Sequence, residues 1–376
     1  MKIVHITLHY LDGWGYQDNL LPLYQEKAGN DVVVISDVNH LPNQDRDKIL
    51  SKGQEYYDGS IKVIRIKCYC NTSNTSFFCS GLYKYLMRIH PDQIFHHGVN
   101  SSTLVVSAWY KKKHSKTVLF VDNHADKINM SKNKIWHFCF DRVWLSMVCK
   151  LLNPWINKYY GVTPFRCDYL NEVYCIPNNK IGFLPLGCDT DTVDKIKETK
   201  DELREQYGIE KKAFVIVSGG KMDKSKGTIE LIEAYNEIKK ILPMTLVLFG
   251  SMDELVSKKA NESDDIVTIG WCDRNKTLSL LKLSDVAVWP LLHTTLIEDA
   301  VACGIPIIVK ESDNVSHFEK VGNGIFLKYG NKNELIQSLR TIRNSEYVNN
   351  AQVAREKFSY HSIIKMVEHD YREATL

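Results

Sequence analysis

The strongest constraint on the fold is a rhythm, run through twice, in which short apolar stretches alternate with longer amphipathic ones. In the first half, residues 2–7, 31–36, 62–66, 93–96 and 117–121 read as strands. Each is brief, rich in Val, Ile or Phe, and bounded by polar or glycine residues. Residues 20–28 fit a crossover helix between the first two. In the second half, residues 214–218, 245–249, 266–269, 286–289 and 305–309 read as strands, with helices expected at 228–241, 278–283 and 296–303. Leu231, Ile232, Tyr235 and Ile238 share one face of the first of these helices. Gly219-Gly220 is expected to turn the chain after the strand at 214–218, and Gly250 to end the next one. Alternation of this kind predicts parallel sheets covered by helices, and 376 residues suffice for two such domains.

The division expected is 1–190 and 191–360, with the seam between Asp189 and Asp201 and a charged helix or connector over 192–205. A formal net charge of +3 on a chain this long gives no basic face of the kind nucleic-acid binders carry. The ten cysteines are scattered and form no Cys-x-x-Cys ladder, so neither a disulfide framework nor a zinc site is expected. Met1-Lys2-Ile3-Val4 runs straight into a strand, without a signal peptide, and no apolar run approaches the ~20 residues that span a bilayer. The reading is a cytoplasmic protein with reduced thiols.

Three stretches carry candidate chemistry. In Gly219-Gly220-Lys221-Met222-Asp223-Lys224-Ser225-Lys226-Gly227, a strand opens into a loop and a helix follows. A helix N-terminus beside Lys221 and Lys226 suits an anion, and a departing diphosphate needs such neutralisation. The spacing is not that of a Walker A loop. In Trp289-Pro290-Leu291-Leu292-His293-Thr294-Thr295-Leu296-Ile297-Glu298-Asp299, a strand gives way to a short helix. Thr295 and Glu298 have capping-box spacing, which assigns Glu298 a structural role and leaves Asp299 as a candidate acceptor for a ribose diol. Leu11-Asp12-Gly13-Trp14-Gly15-Tyr16-Gln17 follows the first strand, and its two glycines let backbone approach a ligand. It is not the dinucleotide fingerprint, because position 18 is Asp18.

His124, with Asp122 and Asp126 on either side, follows the strand ending at Val121. His96-His97-Gly98 ends another strand similarly. Ligands of open α/β sheets bind beyond such carboxyl ends. No second spaced pair of ligands joins His124, so no metal is expected there. Asp189-Thr190-Asp191 reads as a short acidic turn. Residues 110–116 are basic. Residues 132–155 interleave Trp136, Phe138, Phe140, Trp144 and Trp155 with Lys134, Arg142 and Lys150, which fits either a buried helix beside a cationic loop or contact with an anionic membrane.

These motifs together resemble the bacterial glycosyltransferase family 4, and the resemblance covers most of the chain. Gly220-Lys221 through Lys226-Gly227 is similar to the family's Gly-Arg…Lys-Gly diphosphate loop, with Lys221 at the Arg position. Ile269-Gly270-Trp271, Ser284-Asp285-Val286-Ala287-Val288-Trp289-Pro290 and Gly322-Asn323-Gly324 match further family segments. So do Phe358-Ser359-Tyr360, Val162-Thr163-Pro164 and Leu184-Pro185-Leu186-Gly187-Cys188-Asp189. Asp299-Ala300-Val301-Ala302-Cys303-Gly304-Ile305-Pro306 resembles Glu-Ala-x-Ala-x-Gly-x-Pro. The family's Glu-x7-Glu departs here: position 291 is Leu, the segment from Pro290 to Asp299 is short, and the second acid survives as Asp299. A shortened loop of this kind resembles a subgroup found in surface-polysaccharide loci.

The resemblance implies a GT-B fold, two Rossmann-like domains facing across a cleft, with the C-terminal helix 361–376 returning to the first. It implies transfer of a sugar, with retention, from a nucleoside diphosphate donor to a glycan or lipid-linked acceptor. Lys221 and Lys226 would neutralise the diphosphate, and Asp299 would hold the ribose. Gly220 and the amides near Thr294 and Thr295 would assist, Gly13 and Gly15 would close on the phosphates, and His124 would meet the donor sugar or the incoming hydroxyl. No metal or other cofactor is then needed. The expected place is the cytoplasm, with peripheral contact at the inner membrane face. A GT-B nucleotide-sugar epimerase and a non-catalytic sugar-binding protein are the alternatives. An epimerase would turn over without an acceptor. The missing first Glu points to the non-catalytic protein, and Lys221, Lys226 and Asp299 point away from it.

Overall fold

The computed structural model describes every residue except 42, 72–74, 127–133 and 347–348. The chain divides into two compact units, Met1–Gly187 with Tyr360–Leu376, and Cys188–Ser359. Each holds an α/β sheet.

The first unit is built on β1 (Lys2–Thr7), β2 (Asp31–Asp37), β3 (Glu55–Asp58), β4 (Ile61–Asn71), β5 (Ser76–Ser80), β6 (Gln93–His97), β7 (Val118–Asn123), β8 (Lys158–Gly161) and β9 (Ile181–Phe183). Their order is β3-β4-β2-β1-β6-β7-β8-β9, with β5 hydrogen-bonded to β4. All neighbours from β4 through β9 run parallel, and the hairpin partners β3 and β5 run antiparallel to β4. The chain moves outward from β1 to β2 and β4, then returns to place β6 on the other side of β1. This reversal is the topological switch point at which such sheets bind ligands. Strand β1 is buried at every position after Lys2, as a central strand covered on both faces must be.

In a strand, alternate residues share a face. The register pairs His5 with Phe95, His97 with Asp122, and Asp122 with Tyr160, so these side chains lie on one face together with Phe120. The helix Gln17–Lys27 and the last helix, Tyr360–Thr375, cover that face. Tyr24, Phe95, Phe120, Tyr160, Tyr360 and Ile363 form its core. Asp370 ties the last helix to β8 through Lys158 Nζ at 2.6 Å and the Tyr160 hydroxyl at 2.7 Å.

The second unit is a parallel sheet ordered β12-β11-β10-β13-β14-β15. Its strands are β10 (Phe214–Met222), β11 (Met244–Met252), β12 (Ile266–Ile269), β13 (Val286–Trp289), β14 (Ile307–Lys310) and β15 (Gly324–Leu327). Its switch point lies between β10 and β13. Two sequence expectations change here. Gly219-Gly220 does not turn the chain, and Gly250 does not end a strand. β10 and β11 stay paired from Phe214↔Met244 to Met222↔Met252, with Gly220 opposite Gly250. The double glycine serves close packing instead, since a Cβ at Gly219 would strike the Phe249 ring at 2.4 Å. The charged stretch at 192–205 forms two helices, Thr190–Lys195 and Lys200–Gln206. The second carries the capping box of Thr199 and Glu202.

Candidate functional site

In the second unit the carboxyl end of β10 brings two of the sequence motifs together. Gly220 has φ +100°, and a Cβ there would lie 3.1 Å from Leu296 Cδ1. Beyond Met222, Asp223 accepts from the Ser225 amide at 2.8 Å and caps a single 3-10 turn, Lys224–Lys226. Gly227 then reverses the chain at φ +78°, and a Cβ there would meet Pro290 Cβ and Leu291 Cγ, each at 2.9 Å. The lysine loop thus packs on the segment that follows β13. Trp289 Nε1, at the end of β13, donates to Gly219 O at 3.1 Å. Lys221 is exposed and Lys226 half-exposed; the Lys226 amide donates to Asp223 O at 3.0 Å, but neither ammonium group forms a hydrogen bond or ion pair with another described residue. Both cations stand beside the start of the helix Thr228–Ile238, whose first amides carry partial positive charge.

The segment after β13 differs from its expectation in two ways. Thr295 has a helical backbone, φ −66° and ψ −11°, and its side chain caps nothing. A capping hydroxyl needs an extended backbone to reach the amides of the first turn, so the box with Glu298 does not form. Glu298 is buried instead, with Oε1 3.3 Å from His293 Nε2. Thr294 offers its carbonyl to the Ile297 amide at 3.1 Å. Asp299, expected to face a ligand diol, has both oxygens engaged by Arg274, at 3.0 and 3.2 Å. Arg274 Nη2 also donates to Asp189 at 3.1 Å. Asp189 in turn accepts the Thr192 amide as the cap of Thr190–Lys195, so the acidic turn is a helix start. Burial pushes the Asp299 carboxyl above its usual range while Arg274 opposes that shift. Sequence reasoning passed over Arg274. Its only signal was a cation just past the carboxyl end of β12.

In the first unit, β1, β6 and β7 deliver a chain of titratable side chains to one place. Asp122 is fully buried. Its Oδ1 accepts the Gly98 amide at 3.1 Å, and its Oδ2 accepts His97 Nδ1 at 2.7 Å and lies 3.3 Å from His124 Nε2. His97 Nε2 reaches His5 Nδ1 at 3.1 Å, and His5 Nε2 reaches Gln25 Oε1 at 2.5 Å. Asp18, hydrogen-bonded to the Thr7 hydroxyl, stands 3.5 Å from His97 Nδ1. Burial opposes a charge on His97, but Asp122 and Asp18 outweigh it and raise its pKa to about 9. Burial and the neighbouring His97 cation lower His5 to about 3. Asp122 is buried, yet His97 and His124 hold its carboxyl far below the usual range. The proton pattern follows: His97 donates from both nitrogens, and neutral His5 accepts at Nδ1 and donates to Gln25.

His124 is half-buried, with a side chain 38% exposed, and its Nε2 lies 3.3 Å from Asp122 Oδ2. Asp126 pairs with Arg166 at 3.1 Å. Asp18, His97 and His124 each offer an atom within 4.8 Å of the others. Both His97 nitrogens are already committed to Asp122 and His5, so an ion would have to displace one of them. Nearby, Gly13 has φ +73° and donates its amide to Asp58 at 3.0 Å, while Gly15 precedes the helix Gln17–Lys27. The Gln17 carboxamide at that helix start is buried without a partner among the described residues. His5, a histidine inside an apolar strand, was the sequence signal that went unread.

The model for "Glycosyl transferases group 1" matches residues 199–360. The second unit belongs to the group 1 glycosyl transferases. Within this group 1 domain lie Lys221, Lys226, Arg274 and Asp299. A curated relative, alpha-monoglucosyldiacylglycerol synthase of Acholeplasma laidlawii, is 27% identical over 237 residues, covering 56% of this chain. The match spans 57% of that relative's length. Solved structures resemble the chain along nearly its whole length. A Rickettsia africae glycosyltransferase has a TM-score of 0.69 at 16% identity, covering 99% of this chain and 98% of that one. Anabaena HepE, solved with UDP and glucose, has a TM-score of 0.68 at 16% identity, covering 99% and 100%. A putative UDP-N-acetylglucosamine 2-epimerase from Listeria monocytogenes has a TM-score of 0.59 at 14% identity, covering 99% and 97%. The fold is therefore the GT-B type, with a Rossmann-like sheet in each unit.

Proposed function

We propose that this chain is a retaining glycosyltransferase that moves a sugar from a nucleoside diphosphate to a glycan or glycolipid acceptor, in bacterial surface polysaccharide synthesis. The observation that carries the reading is the lysine loop. Lys221 and Lys226 stand without ion-pair partners among the described residues, at the switch point of a parallel sheet and beside a helix start. Two unpaired ammonium groups there suit a diphosphate whose charge grows as the glycosidic bond breaks. Gly220 and Gly227 let that loop lie against Pro290, Leu291 and Leu296, which places Thr294 and Thr295 close by. Cationic side chains then do the leaving-group work without a metal, and activity should survive chelation.

In the first unit, His124 meets a sugar hydroxyl, and Gly15 brings its backbone amide to the ligand at the start of Gln17–Lys27, while Gly13, whose amide is held by Asp58, turns the chain beside it. The unsatisfied Gln17 carboxamide supports a ligand there. The acceptor we favour is lipid-linked. The chain is helical from Lys134 to Leu152, with a π-helical stretch over His137–Leu145. It buries Leu145, Cys149 and Leu152 and exposes Ile135, Trp136, Phe138, Trp144, Met147 and Leu151 beside Arg142 and Lys150. Lys132 lies outside the described residues. A basic, aromatic outer face suits the headgroup boundary of an anionic bilayer. No helix among the described residues is long and apolar enough to cross one.

The test is a panel of nucleotide sugars screened for thermal stabilisation, followed by turnover with Lys221→Ala and Lys226→Ala. Each variant should lose at least ~10²-fold in rate, comparable to removing one oxyanion donor. Wild-type rates in both, at saturating donor, would reject the assignment. Incubation of the donor alone separates transfer from epimerisation.

A further inference from the structure

The loop that enters the helix Gln17–Lys27 is braced along its length. Asp12 accepts the Tyr56 hydroxyl at 2.8 Å, Arg65 Nη2 at 3.0 Å and Lys52 Nζ at 2.6 Å. Asp58 accepts the Gly13 amide at 3.0 Å and the Tyr10 hydroxyl at 2.9 Å. Leu11 O accepts Asn19 Nδ2 at 2.7 Å and the Trp14 amide at 3.3 Å. Tyr16 O accepts the amides of Asn19 at 3.0 Å and Leu20 at 2.9 Å. Two aromatic side chains stand out from this frame. Trp14 and Tyr16 are each 44% exposed, with ring centroids 5.2 Å apart and planes inclined by 34°. A single exposed aromatic calls for no explanation, but two in contact on a braced loop form one apolar surface whose ordering cost is already met. The surface stands at the ligand end of the first sheet. Asp18, just past Tyr16, is bonded to Thr7 at the end of β1 and faces His97 at the end of β6. Between them, Gln17 is buried, and neither atom of its carboxamide has a hydrogen-bond partner among the described residues.

We propose that Trp14 and Tyr16 form a stacking platform for a pyranose ring of the acceptor, with the Gln17 carboxamide turning to one of its hydroxyls. That the ring is the acceptor's rests on the reading of the chain as a glycosyltransferase. A pyranose has the matching chemistry: a face of C–H bonds for the aromatic rings, and a rim of hydroxyls for an amide that offers both a donor and an acceptor. A buried amide without a partner costs free energy, and a hydroxyl that reaches it removes the cost. The flanking charges do not favour an anion. Asp12 is matched by Arg65 and Lys52, and Asp18 faces His97, so the loop itself offers no unpaired cation to a phosphate or an anionic bilayer. The cations assigned to the diphosphate, Lys221 and Lys226, belong to the second unit, and the platform belongs to the first. The ring it takes is therefore assigned to the acceptor, not to the donor.

The test uses the full chain labelled with 5-fluorotryptophan. The fluorine resonance absent from Trp14→Phe, or from Trp14→Tyr should the first variant misfold, identifies Trp14 among the seven tryptophans. With UDP saturating, the methyl pyranosides of glucose, galactose, mannose and N-acetylglucosamine are titrated in turn, with sorbitol as the open-chain polyol. At least one pyranoside should shift the Trp14 resonance saturably, and sorbitol should leave it in place. Tyr16→Ala should weaken that binding about tenfold or more, the size of truncating an aromatic anchor, and Tyr16→Phe should keep most of it. Gln17→Leu should lose roughly threefold to tenfold in pyranoside affinity, one hydrogen bond's worth, while its melting temperature holds or rises. A merely structural glutamine would not part affinity from stability in this way. Silence of the Trp14 resonance to all four pyranosides, or an equal response to sorbitol, overturns the platform. A shift produced by UDP-glucose alone and by no methyl pyranoside gives the platform to the donor and overturns its assignment to the acceptor. The underlying reading fails separately: saturable pyranoside binding at Trp14 in a protein that transfers from no nucleotide sugar keeps the platform and rejects the transferase.

Discussion

Removing the Arg274 guanidinium, as Arg274→Met, tests what holds the second unit together where three helix starts meet. Arg274 joins the caps and termini of three helices by pairing with Asp299 at 3.0 and 3.2 Å and with Asp189 at 3.1 Å. Its side chain is 23% exposed, against 13% for Asp299 and 2% for Asp189. Deleting one partner of a buried pair costs about 3–5 kcal/mol, because the other charge is left without compensation. Partial exposure of Arg274 argues for the lower end, about 3 kcal/mol. For a domain of this size that corresponds to a fall of roughly 6–12 °C in melting temperature. The loss should depend on pH in a definite direction. With Arg274 gone, burial and the neighbouring Glu298 and Asp189 carboxylates all act in one direction on Asp299, so its folded pKa rises further above the unfolded value. A carboxyl raised in this way destabilises the fold as pH climbs through its folded pKa, and protonation relieves the penalty in acid. The gap between variant and wild type should therefore narrow from pH 8 to pH 5. Calorimetric melting at both values measures it. A shift under about 2 °C, or a gap that widens in acid, would refute the pairing as the source of stability. Asp299→Asn keeps the shape and removes the charge. If the carboxylate also serves a ribose, nucleotide affinity should fall about tenfold or more, and calorimetry showing undiminished affinity would confine Asp299 to its partnership with Arg274.

Other outcomes can be checked alongside. Glu298→Ala should lose buried contacts with His293 without losing a helix cap, so its stability should not be restored by Asp at position 295; recovery in the Thr295→Asp background would reinstate the cap. The His97–Asp122 pair should make the first unit less stable in alkali. His97 has a pKa raised to about 9, so its contribution is complete below about 6.5 and is lost as pH rises through 9. Melting of that unit should fall over this range and lose the slope in His97→Gln, and an unchanged slope would reject the pair as its origin. Asp122 works in the other direction, with its contribution present above about pH 4 and lost in stronger acid. Vesicle sedimentation should show salt-sensitive binding to anionic bilayers, at about 1 kcal/mol per nearby cation, weakened by Trp144→Ser with Leu151→Ser. Equal absence of binding to anionic and neutral vesicles at low salt would remove the membrane reading.

Much of the architecture was legible without coordinates, because a parallel strand covered on both faces must be apolar along its length. β1, β2 and β13 were placed to within a residue on that ground. The turn at Lys224–Lys226 was legible for a related reason: lysines and a glycine just past a strand are a local signal. The terminal positions were less so. β10 runs on through Gly219-Gly220 because a partner, β11, also carries a glycine at the facing position, and a turn signal is overridden when the neighbour allows close backbone approach. The capping box failed for a similar reason, since spacing states which residues can meet but the backbone angle at Thr295 decides whether they do.

What the sequence by itself determined is the class of fold, the two-sheet organisation and the gathering of glycines and lysines at residues 219–227. What only the tertiary structure decided is partnership. Arg274, Asp299 and Asp189 stand far apart in the chain, and nothing in their local surroundings marks them as a triad. His5, His97, Asp122 and His124 come from three strands and a loop, joined by a register that puts alternate residues of β1, β6 and β7 on one face. A local pattern encodes burial and backbone direction, residue by residue. The pairing of charges depends on which strand ends lie side by side, and that is settled only when the sheet order β2-β1-β6-β7 has formed.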